Sequence, residues 1–217
     1  MSDRGRELAA LREAYARVGL NEVDLPSDPL ILFEQWLADA IASGMHEPTA
    51  MAVSTVGPTG APSCRLVLLK AADERGLVFF TNYRSRKACE LEAEPRCAAV
   101  FPWHNVLRQV RVEGRAERVS SGESDLYFAT RPRGSQLAAW ASPQSEEVPD
   151  REYLDGESEK AVLRWPEPAS IPRPEHWGGI RIVPSTVEFW QGRPDRMHDR
   201  IHFSRVGKSW RSRRLAP

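Results

Sequence analysis

Residues 50–82 read AMAVSTVGPTGAPSCRLVLLKAADERGLVFFTN, and this stretch decides the fold. Apolar and polar side chains alternate along much of it with the period of two that is typical of β-strands. The pattern predicts strands at Met51–Val56, Ser63–Lys70 and Leu77–Asn82. Turn residues at 57–60 and 73–76 separate these strands, so each strand can fold back on the one before it.

Further strands follow along the chain. The same signal predicts them at Cys97–Trp103, Leu107–Val119, Gly179–Val183, Thr186–Gln191, His198–Arg205 and Ser209–Leu215. Brief turns join the strands and helices are inserted between them, which favours a mostly β fold class, an antiparallel barrel with flanking helices. Neither an internal repeat nor a linker divides the chain, so residues 1–217 are predicted to form a single domain.

Helical spacing of apolar residues precedes the strands, in a predicted N-terminal helical segment at residues 1–45. One helix is predicted around Leu8–Val18, and a second begins at Asp28-Pro29 and ends at Gly44. The apolar face of the second helix is predicted to comprise Leu30, Phe33, Leu37, Ala40 and Ile41. Shorter helices are predicted at Ser85–Ala93, Glu123–Ala129 and Ser135–Ala141. The Pro- and Glu-rich residues 146–175 are predicted to be a surface excursion with a short helix at Glu157–Arg164.

The composition argues against several functional classes. The 30 Lys and Arg residues balance 30 Asp and Glu residues, so no net charge recruits nucleic acid or an anionic membrane. No apolar run approaches the roughly 20 residues of a membrane helix, and the first residues lack the apolar core of a signal peptide. The three cysteines form no CxxC pair, so neither disulfides nor a metal site are expected. We expect a cytoplasmic protein with reduced thiols.

Three stretches carry groups that suit a phosphorylated aromatic ligand. The first contains Arg65–Lys70, Thr81 and the triplet Ser85-Arg86-Lys87. We expect Ser85 to cap a helix whose first turn carries both cations, because free N–H groups, the helix dipole and cationic side chains together form a phosphate site. The alternative is a solvent-exposed Arg-Lys pair, but two cations at a helix start oppose the dipole and would remain unexplained.

The second stretch places a tyrosine, a guanidinium group and a hydroxyl around a break between two helices. Tyr127 and Arg131 are four residues apart on one predicted helix, while Pro132 and Gly134 leave Ser135 at the start of the next. These three groups suit a phosphate ester. Tyrosine and arginine at this spacing also occur as ordinary surface residues, so this motif alone is a weak signal.

The third stretch runs from a strand that ends at Trp190 through a turn into a new strand. Alternation along that strand is expected to project Arg196, His198 and Arg200 to one face. Two arginines flanking a histidine repel each other unless an anion lies between them. Neutralisation by nearby carboxylates such as Glu188 is the alternative, which we disfavour because the acidic residues are expected on the opposite face.

These stretches belong to a longer series of motifs. The series comprises Arg65–Lys70, Phe79–Lys87, Arg108–Gly114, Arg131–Gln136, Ala139–Ser145, Trp177–Gly179, Glu188–Gly192, Arg196–Arg200 and Arg214–Pro217. In this order, and over nearly the whole chain from Arg12 to Pro217, it resembles the pyridoxine/pyridoxamine 5′-phosphate oxidase family.

The resemblance implies an FMN-binding split barrel, an antiparallel Greek-key β-barrel that works as a homodimer with the flavin at the subunit interface. Carried over by position, it implies FMN contacts at Arg65, Leu66, Val67, Leu68, Leu69, Lys70, Phe80, Thr81, Arg86, Lys87, Gln109, Gln144, Ser145, Trp190 and Arg200. It implies substrate contacts at Lys70, Tyr127, Arg131, Ser135, Arg196 and His198. Arg12 and Tyr15 resemble part of an N-terminal segment that covers the substrate, and Arg196 with His198 would form the catalytic pair.

The implied reaction oxidises pyridoxamine 5′-phosphate or pyridoxine 5′-phosphate to pyridoxal 5′-phosphate, with a hydride passing from C4′ to N5 of FMN. O2 then reoxidises the flavin and yields hydrogen peroxide. The chain departs from the family's pattern at Phe80, where tyrosine is frequent, and at Ala138, where glycine is frequent. It also departs in residues 146–175, where a longer regular helix is usual.

Other functions are consistent with the same fold. One is an FMN-dependent or deazaflavin-dependent oxidoreductase that acts on another substrate, and another is a non-catalytic carrier of flavin or pyridoxal phosphate. A barrel without any ligand is a third, and it predicts a colourless purified protein. The implied set of substrate contacts argues against the first of these, whereas the carrier predicts tight binding without release of peroxide.

Overall fold

The computed structural model describes residues 19–217, so the helix predicted at Leu8–Val18, with Arg12 and Tyr15, lies outside the described part of the chain. The strands are β1 (Ala50–Val56), β2 (Pro62–Leu68), β3 (Ala71–Asp73), β4 (Gly76–Asn82), β5 (Arg96–Trp103), β6 (Arg108–Arg118), β7 (Trp177–Gln191), β8 (Asp199–Val206) and β9 (Ser209–Arg214). The α-helices are α1 (Pro29–Ala42), α2 (Arg86–Ala93), α3 (Ser121–Thr130), α4 (Arg133–Ala141) and α5 (Arg151–Arg164). Short 3₁₀ turns lie at Glu22–Asp24, His104–Val106 and Pro194–Arg196.

The described strands form one antiparallel sheet in the order β2-β1-β5-β6-β7-β4-β3. The long strand β7 pairs with β6 along its length, with β4 over its first half and with β8 over its second half. Strand β9 extends the sheet beyond β8. The predicted fold class, mostly β and antiparallel with flanking helices, is therefore confirmed. None of the described helices has the length and apolarity needed to cross a membrane.

Helix α1 closes one side of the core. The Asp28 carboxylate accepts a hydrogen bond from Leu30 N at 2.9 Å, which caps the helix as predicted. Trp36 contacts Phe189 edge-on, with ring centroids 5.1 Å apart, so the helix packs on β7. The predicted apolar face is wrong at Ile41, which is exposed, because the buried stripe passes through Trp36 instead.

Two elements are longer than the sequence pattern predicts. The strands predicted at Gly179–Val183 and Thr186–Gln191 are one strand, because Pro184 lies at a bulge where the pairing register with β6 shifts after Glu113. The helix predicted at Glu157–Arg164 begins earlier, at Arg151, because the Asp150 carboxylate caps it by accepting from Tyr153 N at 2.8 Å. Gly156 lies inside this helix without ending it.

Candidate functional site

A buried lysine lies at the start of α2. Lys87 is 8% exposed, and its Nζ donates to Thr81 Oγ1 at 3.1 Å and to Ser85 Oγ at 3.2 Å. Among residues 19–217 no carboxylate lies within ion-pair distance of this ammonium group. Burial, followed by the charge of Arg65, lowers the pKa of Lys87 below its usual value. A buried ammonium group without a counter-ion is costly, so the arrangement fits an anion.

Several residues of the predicted site surround Lys87. The Gln144 side-chain oxygen accepts from Thr81 Oγ1 and from Asn82 N, both at 3.3 Å, so the structure brings Thr81, Lys87 and Gln144 together. Ser145 follows with a φ of 74°, a left-handed conformation that non-glycine residues adopt rarely. The predicted side-chain cap at Ser85 is wrong, because its hydroxyl faces Lys87 instead of a helix N–H group.

The two predicted arginines share a carboxylate that sequence reasoning missed. Glu90 Oε1 accepts from Arg86 Nε at 2.8 Å, and Glu90 Oε2 lies 3.4 Å from Arg65 Nη2. Burial raises the pKa of Glu90, but hydrogen bonds from Thr55, Ser63 and Arg86 outweigh this effect and hold it at about 2. The spacing of Arg86 and Glu90, four residues apart on one helix, could have revealed the pair. We call Arg65, Arg86 and Lys87 the cationic cluster.

The other FMN contacts predicted at and after β2 divide between the two faces of the sheet. Val67 pairs with Met51 and faces the core, whereas Leu66 is 68% exposed on the outer face. Leu68 alternates to the same outer face as Leu66, and Leu69 is buried. Lys70 is exposed, and its backbone N–H donates to Val78 O at 2.8 Å.

The predicted substrate residues around the α3–α4 junction come together. The Tyr127 ring stacks on Phe80 with centroids 3.9 Å apart, and the Arg131 guanidinium lies 4.5 Å above the Trp177 ring. Arg131 Nη1 is buried and has no hydrogen-bond partner among the described residues. Burial raises the pKa of Tyr127 and lowers that of Arg131. Ser135 lies in the first turn of α4, as predicted.

Residues Trp190 to Arg200 form a third group, with a geometry that differs from the prediction. Trp190 pairs with both Gln109 and Arg200, and its ring lies 4.6 Å from that of His198. The strand predicted to carry Arg196 and His198 begins only at Asp199, because Pro194 starts a 3₁₀ turn. Arg196 ends this turn with a φ of 61°. The expected alternation of Arg196, His198 and Arg200 on one strand is therefore wrong.

Arg200 has a carboxylate partner. Its Nε and Nη2 donate to the two Glu188 oxygens at 3.0 and 3.1 Å. The sequence pattern predicts Glu188 on the opposite face. That expectation is wrong because Glu188 pairs with His202, so it lies diagonally opposite Arg200 on the same face of the sheet.

Arg65 of the cationic cluster and the third group lie on different faces of the sheet. Arg65 pairs with the buried Val53 and shares its inward face. Gln109 and Trp190 alternate with the buried Val110 and Phe189, so they and Arg200 face outward. One copy of the chain therefore does not direct Arg65 of its cationic cluster and the side chains of Gln109, Trp190 and Arg200 toward a common ligand.

The chain matches two families of known sequences. Residues 37–163 match the family described as pyridoxamine 5′-phosphate oxidase, and residues 177–217 match the pyridoxine 5′-phosphate oxidase C-terminal dimerisation region. A protein of Rubrobacter xylanophilus named pyridoxine/pyridoxamine 5′-phosphate oxidase is 52% identical over 98% of this chain and 97% of its own length. A protein of the same name from Cupriavidus necator is 50% identical over 97% of this chain and 99% of its own.

Two solved structures have the same fold. PhzG from Burkholderia lata, in complex with tetrahydrophenazine-1-carboxylic acid, has a TM-score of 0.87 and 31% identity over 94% of this chain and all of its own. A pyridoxamine 5′-phosphate oxidase-related, FMN-binding protein from Nostoc punctiforme has a TM-score of 0.70 and 18% identity over 89% of this chain and all of its own. The fold is thus that of the FMN-binding split-barrel proteins. Within that class, the chain belongs to the pyridoxine/pyridoxamine 5′-phosphate oxidase family.

Proposed function

We propose that this chain oxidises pyridoxamine 5′-phosphate and pyridoxine 5′-phosphate to pyridoxal 5′-phosphate, with FMN as cofactor and O2 as final electron acceptor. One observation carries the proposal. Lys87 and Arg131 are cations from separate parts of the chain, and neither has a carboxylate partner among the described residues. Two groups that each need an anion fit two phosphate esters, one on the flavin and one on the vitamer. The names of the relatives support the same substrates.

The cationic cluster fits the phosphate end of FMN. Lys87 supplies a buried ammonium group, and Arg65 supplies a guanidinium group whose charge acts on it. Arg86 adds a second guanidinium group that shares Glu90 with Arg65. Thr81 and Gln144 add hydroxyl and amide groups beside the lysine. Bound here, FMN would supply the hydride acceptor for C4′ of the vitamer, with O2 as the final acceptor and hydrogen peroxide as its product.

We further propose that the flavin lies between two copies of the chain. Gln109, Trp190 and Arg200 face away from the cationic cluster, so they would contact the flavin that the other copy holds. The outer face around them offers small apolar side chains and the exposed Leu66 for contact between the copies, at Ala50, Ala52, Ala98 and Val100. The match of residues 177–217 to a dimerisation region supports this homodimer.

The chain's own side chains would bind and orient the vitamer. Arg131 offers its unpartnered Nη1 to the phosphate ester, and Tyr127 and Ser135 border the same junction of helices. Arg196 and His198 would hold the C4′ substituent against the flavin, so that much of the barrier is lowered by placement. The roles of Lys70, Arg12 and Tyr15 in this site rest on the family resemblance alone.

A second candidate substrate is a reduced tricyclic aromatic acid. The observation that favours it is the similarity to PhzG, whose structure contains tetrahydrophenazine-1-carboxylic acid. That acid carries no phosphate ester, so this candidate leaves Arg131 Nη1 without an anion of the predicted kind. We therefore place it second.

The test is to purify the protein, identify any yellow cofactor released by denaturation, and follow peroxide with each phosphorylated vitamer and with the tricyclic acid. Peroxide release with a vitamer phosphate, coupled to pyridoxal 5′-phosphate formation, is the expected result. Release only with the tricyclic acid would favour the second candidate. Tight flavin binding without peroxide from any substrate would indicate a carrier and would contradict the proposal.

A further inference from the structure

Glu90 is a buried carboxylate at the centre of the cationic cluster. It is 4% exposed and lies on α2, one turn after Arg86. Its two oxygens have different partners. Oε1 accepts from Arg86 Nε at 2.8 Å, whereas Oε2 accepts from Ser63 Oγ at 2.7 Å and from Thr55, and lies 3.4 Å from Arg65. One carboxylate therefore joins α2 to β1 and β2.

We propose that Glu90 is a positioning residue for the flavin phosphate, an inference that rests on the proposed function. The Arg86 side chain is 64% exposed even though it pairs with Glu90. Without this anchor it would have to lose its rotamer freedom when an anion binds. With the anchor, the guanidinium groups of Arg65 and Arg86 are ordered before the flavin arrives. Glu90 also offsets the repulsion between cations collected at one place.

Charge alone makes the opposite prediction. Three cations and one carboxylate leave a net charge of +2 in the cluster, which matches a phosphate monoester at neutral pH. If Glu90 were only a negative charge near the site, its neutralisation would strengthen binding of an anion. If Glu90 positions the arginines, its neutralisation weakens that binding. The two explanations therefore predict opposite changes in anion affinity when Glu90 is neutralised.

The matched variants are Glu90→Gln and Glu92→Gln. Glu90→Gln keeps the length of the side chain but presents an amide N–H₂ group to guanidinium donors, so at least one arginine is released. Glu92 lies on the same helix and is mostly exposed, where it pairs with Arg118 at 3.1 Å. It therefore controls for loss of a helical carboxylate away from the cationic cluster.

The experiment titrates each apoprotein with FMN and, separately, with riboflavin, and follows quenching of flavin fluorescence. Riboflavin lacks the phosphate, so general damage to the fold affects both ligands, whereas lost positioning affects only FMN. We expect Glu90→Gln to weaken FMN binding about 10-fold or more, since charge-assisted bonds are lost, and to change riboflavin binding less than about 2-fold. Glu92→Gln should leave both affinities unchanged.

Each other outcome counts against a stated claim. If wild type prefers FMN and Glu90→Gln keeps that preference or strengthens it, the positioning role is wrong. If wild type does not prefer FMN to riboflavin, the proposed phosphate site itself is wrong. Should Glu90→Gln fail to fold, Arg86→Gln provides the second test, because it leaves Glu90 its contacts with Thr55 and Ser63. Arg86→Gln should weaken the binding of FMN but not that of riboflavin, and an unchanged FMN affinity would overturn the inference.

Discussion

The ammonium group of Lys87 is buried, and among the described residues it donates hydrogen bonds only to the hydroxyl groups of Thr81 and Ser85. Such a group is unfavourable in the free protein and becomes favourable when an anion arrives. At the scale of a single residue, the energy of folding and the energy of ligand binding therefore oppose each other.

Replacement of Lys87 by methionine should separate these two effects. The apoprotein of Lys87→Met should be more stable by about 1 kcal/mol, because a buried charge is replaced by an apolar side chain of similar length. FMN binding should weaken at least about 10-fold, because a charge-assisted contact to the phosphate is lost. Chemical denaturation of the apoproteins and FMN titration measure the two effects. Lys160→Met, at an exposed position of α5, is the control. A destabilised Lys87→Met apoprotein would contradict this account.

The lowered pKa of Lys87 also predicts a pH dependence. The folded apoprotein releases this proton at a lower pH than the unfolded chain, whose lysine keeps the ordinary value of 10.5. Between the two values the unfolded chain binds more protons, so this residue's contribution to the free energy of unfolding rises with pH. The stability advantage of Lys87→Met should thus be largest at neutral pH and should shrink as the pH approaches 10.5. Denaturation curves over that pH range test this, and a constant difference would contradict it.

Arg196 is the residue whose substitution we expect to affect turnover most. It ends the turn beside His198 with a left-handed backbone conformation, which surrounding contacts must maintain. Arg196→Ala should lower turnover with pyridoxine 5′-phosphate by well over about 10-fold, while FMN content stays at the wild-type level. Arg151→Ala, on the exposed start of α5, is the matched control. Normal turnover in Arg196→Ala would contradict the role proposed for this arginine.

Among the structural elements, the β6–β7 pair connects the two halves of the sheet. Strand β7 joins the half of the sheet that contains β4 to the half that contains β8, and a bulge beside Pro184 lets it continue. Gly114 lies at this bulge, where any Cβ would overlap the backbone carbonyl of Val183. The bulge between β6 and β7 therefore requires a residue without a side chain at position 114.

Gly114→Ala should lower the free energy of unfolding by about 2 kcal/mol or more, because backbone atoms of β7 would have to move. Gly122→Ala is the matched control, since Gly122 lies in the first turn of α3 with open space around the position of its Cβ. That variant should be neutral or slightly stabilised. Urea unfolding monitored by tryptophan fluorescence measures both, and equal stability of the two variants would contradict the role of the bulge.

Sequence patterns predicted most elements because local signals determine them. Asp28-Pro29 marks the start of α1, and alternation marks β1. The errors occur where tertiary contacts override those signals. The pattern predicts that a strand ends before Pro184, but a bulge in β7, where the register with β6 shifts, accommodates this proline. The alternation expected for Arg196 and His198 required a strand that the turn at Pro194 does not allow.

At the scale of the whole molecule, the predicted site residues form separate groups, which a single chain does not bring together at one place. Their chemical types could be predicted from motifs, as Lys87, Gln144 and Arg131 illustrate. Their distribution over two faces of one sheet could not, because it depends on the register of β6, β7 and β8. The role of Glu90 was not predicted, and the pairing of Glu188 with Arg200 was disfavoured, for a related reason, since their partners lie partly on neighbouring strands.

This division predicts complementation between subunits. Lys87→Met impairs the cationic cluster, and Arg196→Ala impairs the loop beside Trp190. If each site takes the cluster from one copy and the loop from the other, a heterodimer of the two variants contains one intact site and one doubly altered site. Co-expression with two different affinity tags and sequential purification yields that heterodimer. We expect about half of wild-type FMN content and about half of wild-type turnover, which exceeds the turnover expected of either homodimeric variant.

The reciprocal heterodimer makes the test decisive. A chain that carries both changes, paired with a wild-type chain, places one defect in each shared site and should be nearly inactive. If each site instead lay within one chain, the wild-type subunit would keep its own site and this heterodimer would retain about half of the activity. The same two substitutions thus give opposite results depending on whether they lie on one chain or on two. High activity with both changes on one chain would show that the flavin does not lie between the subunits.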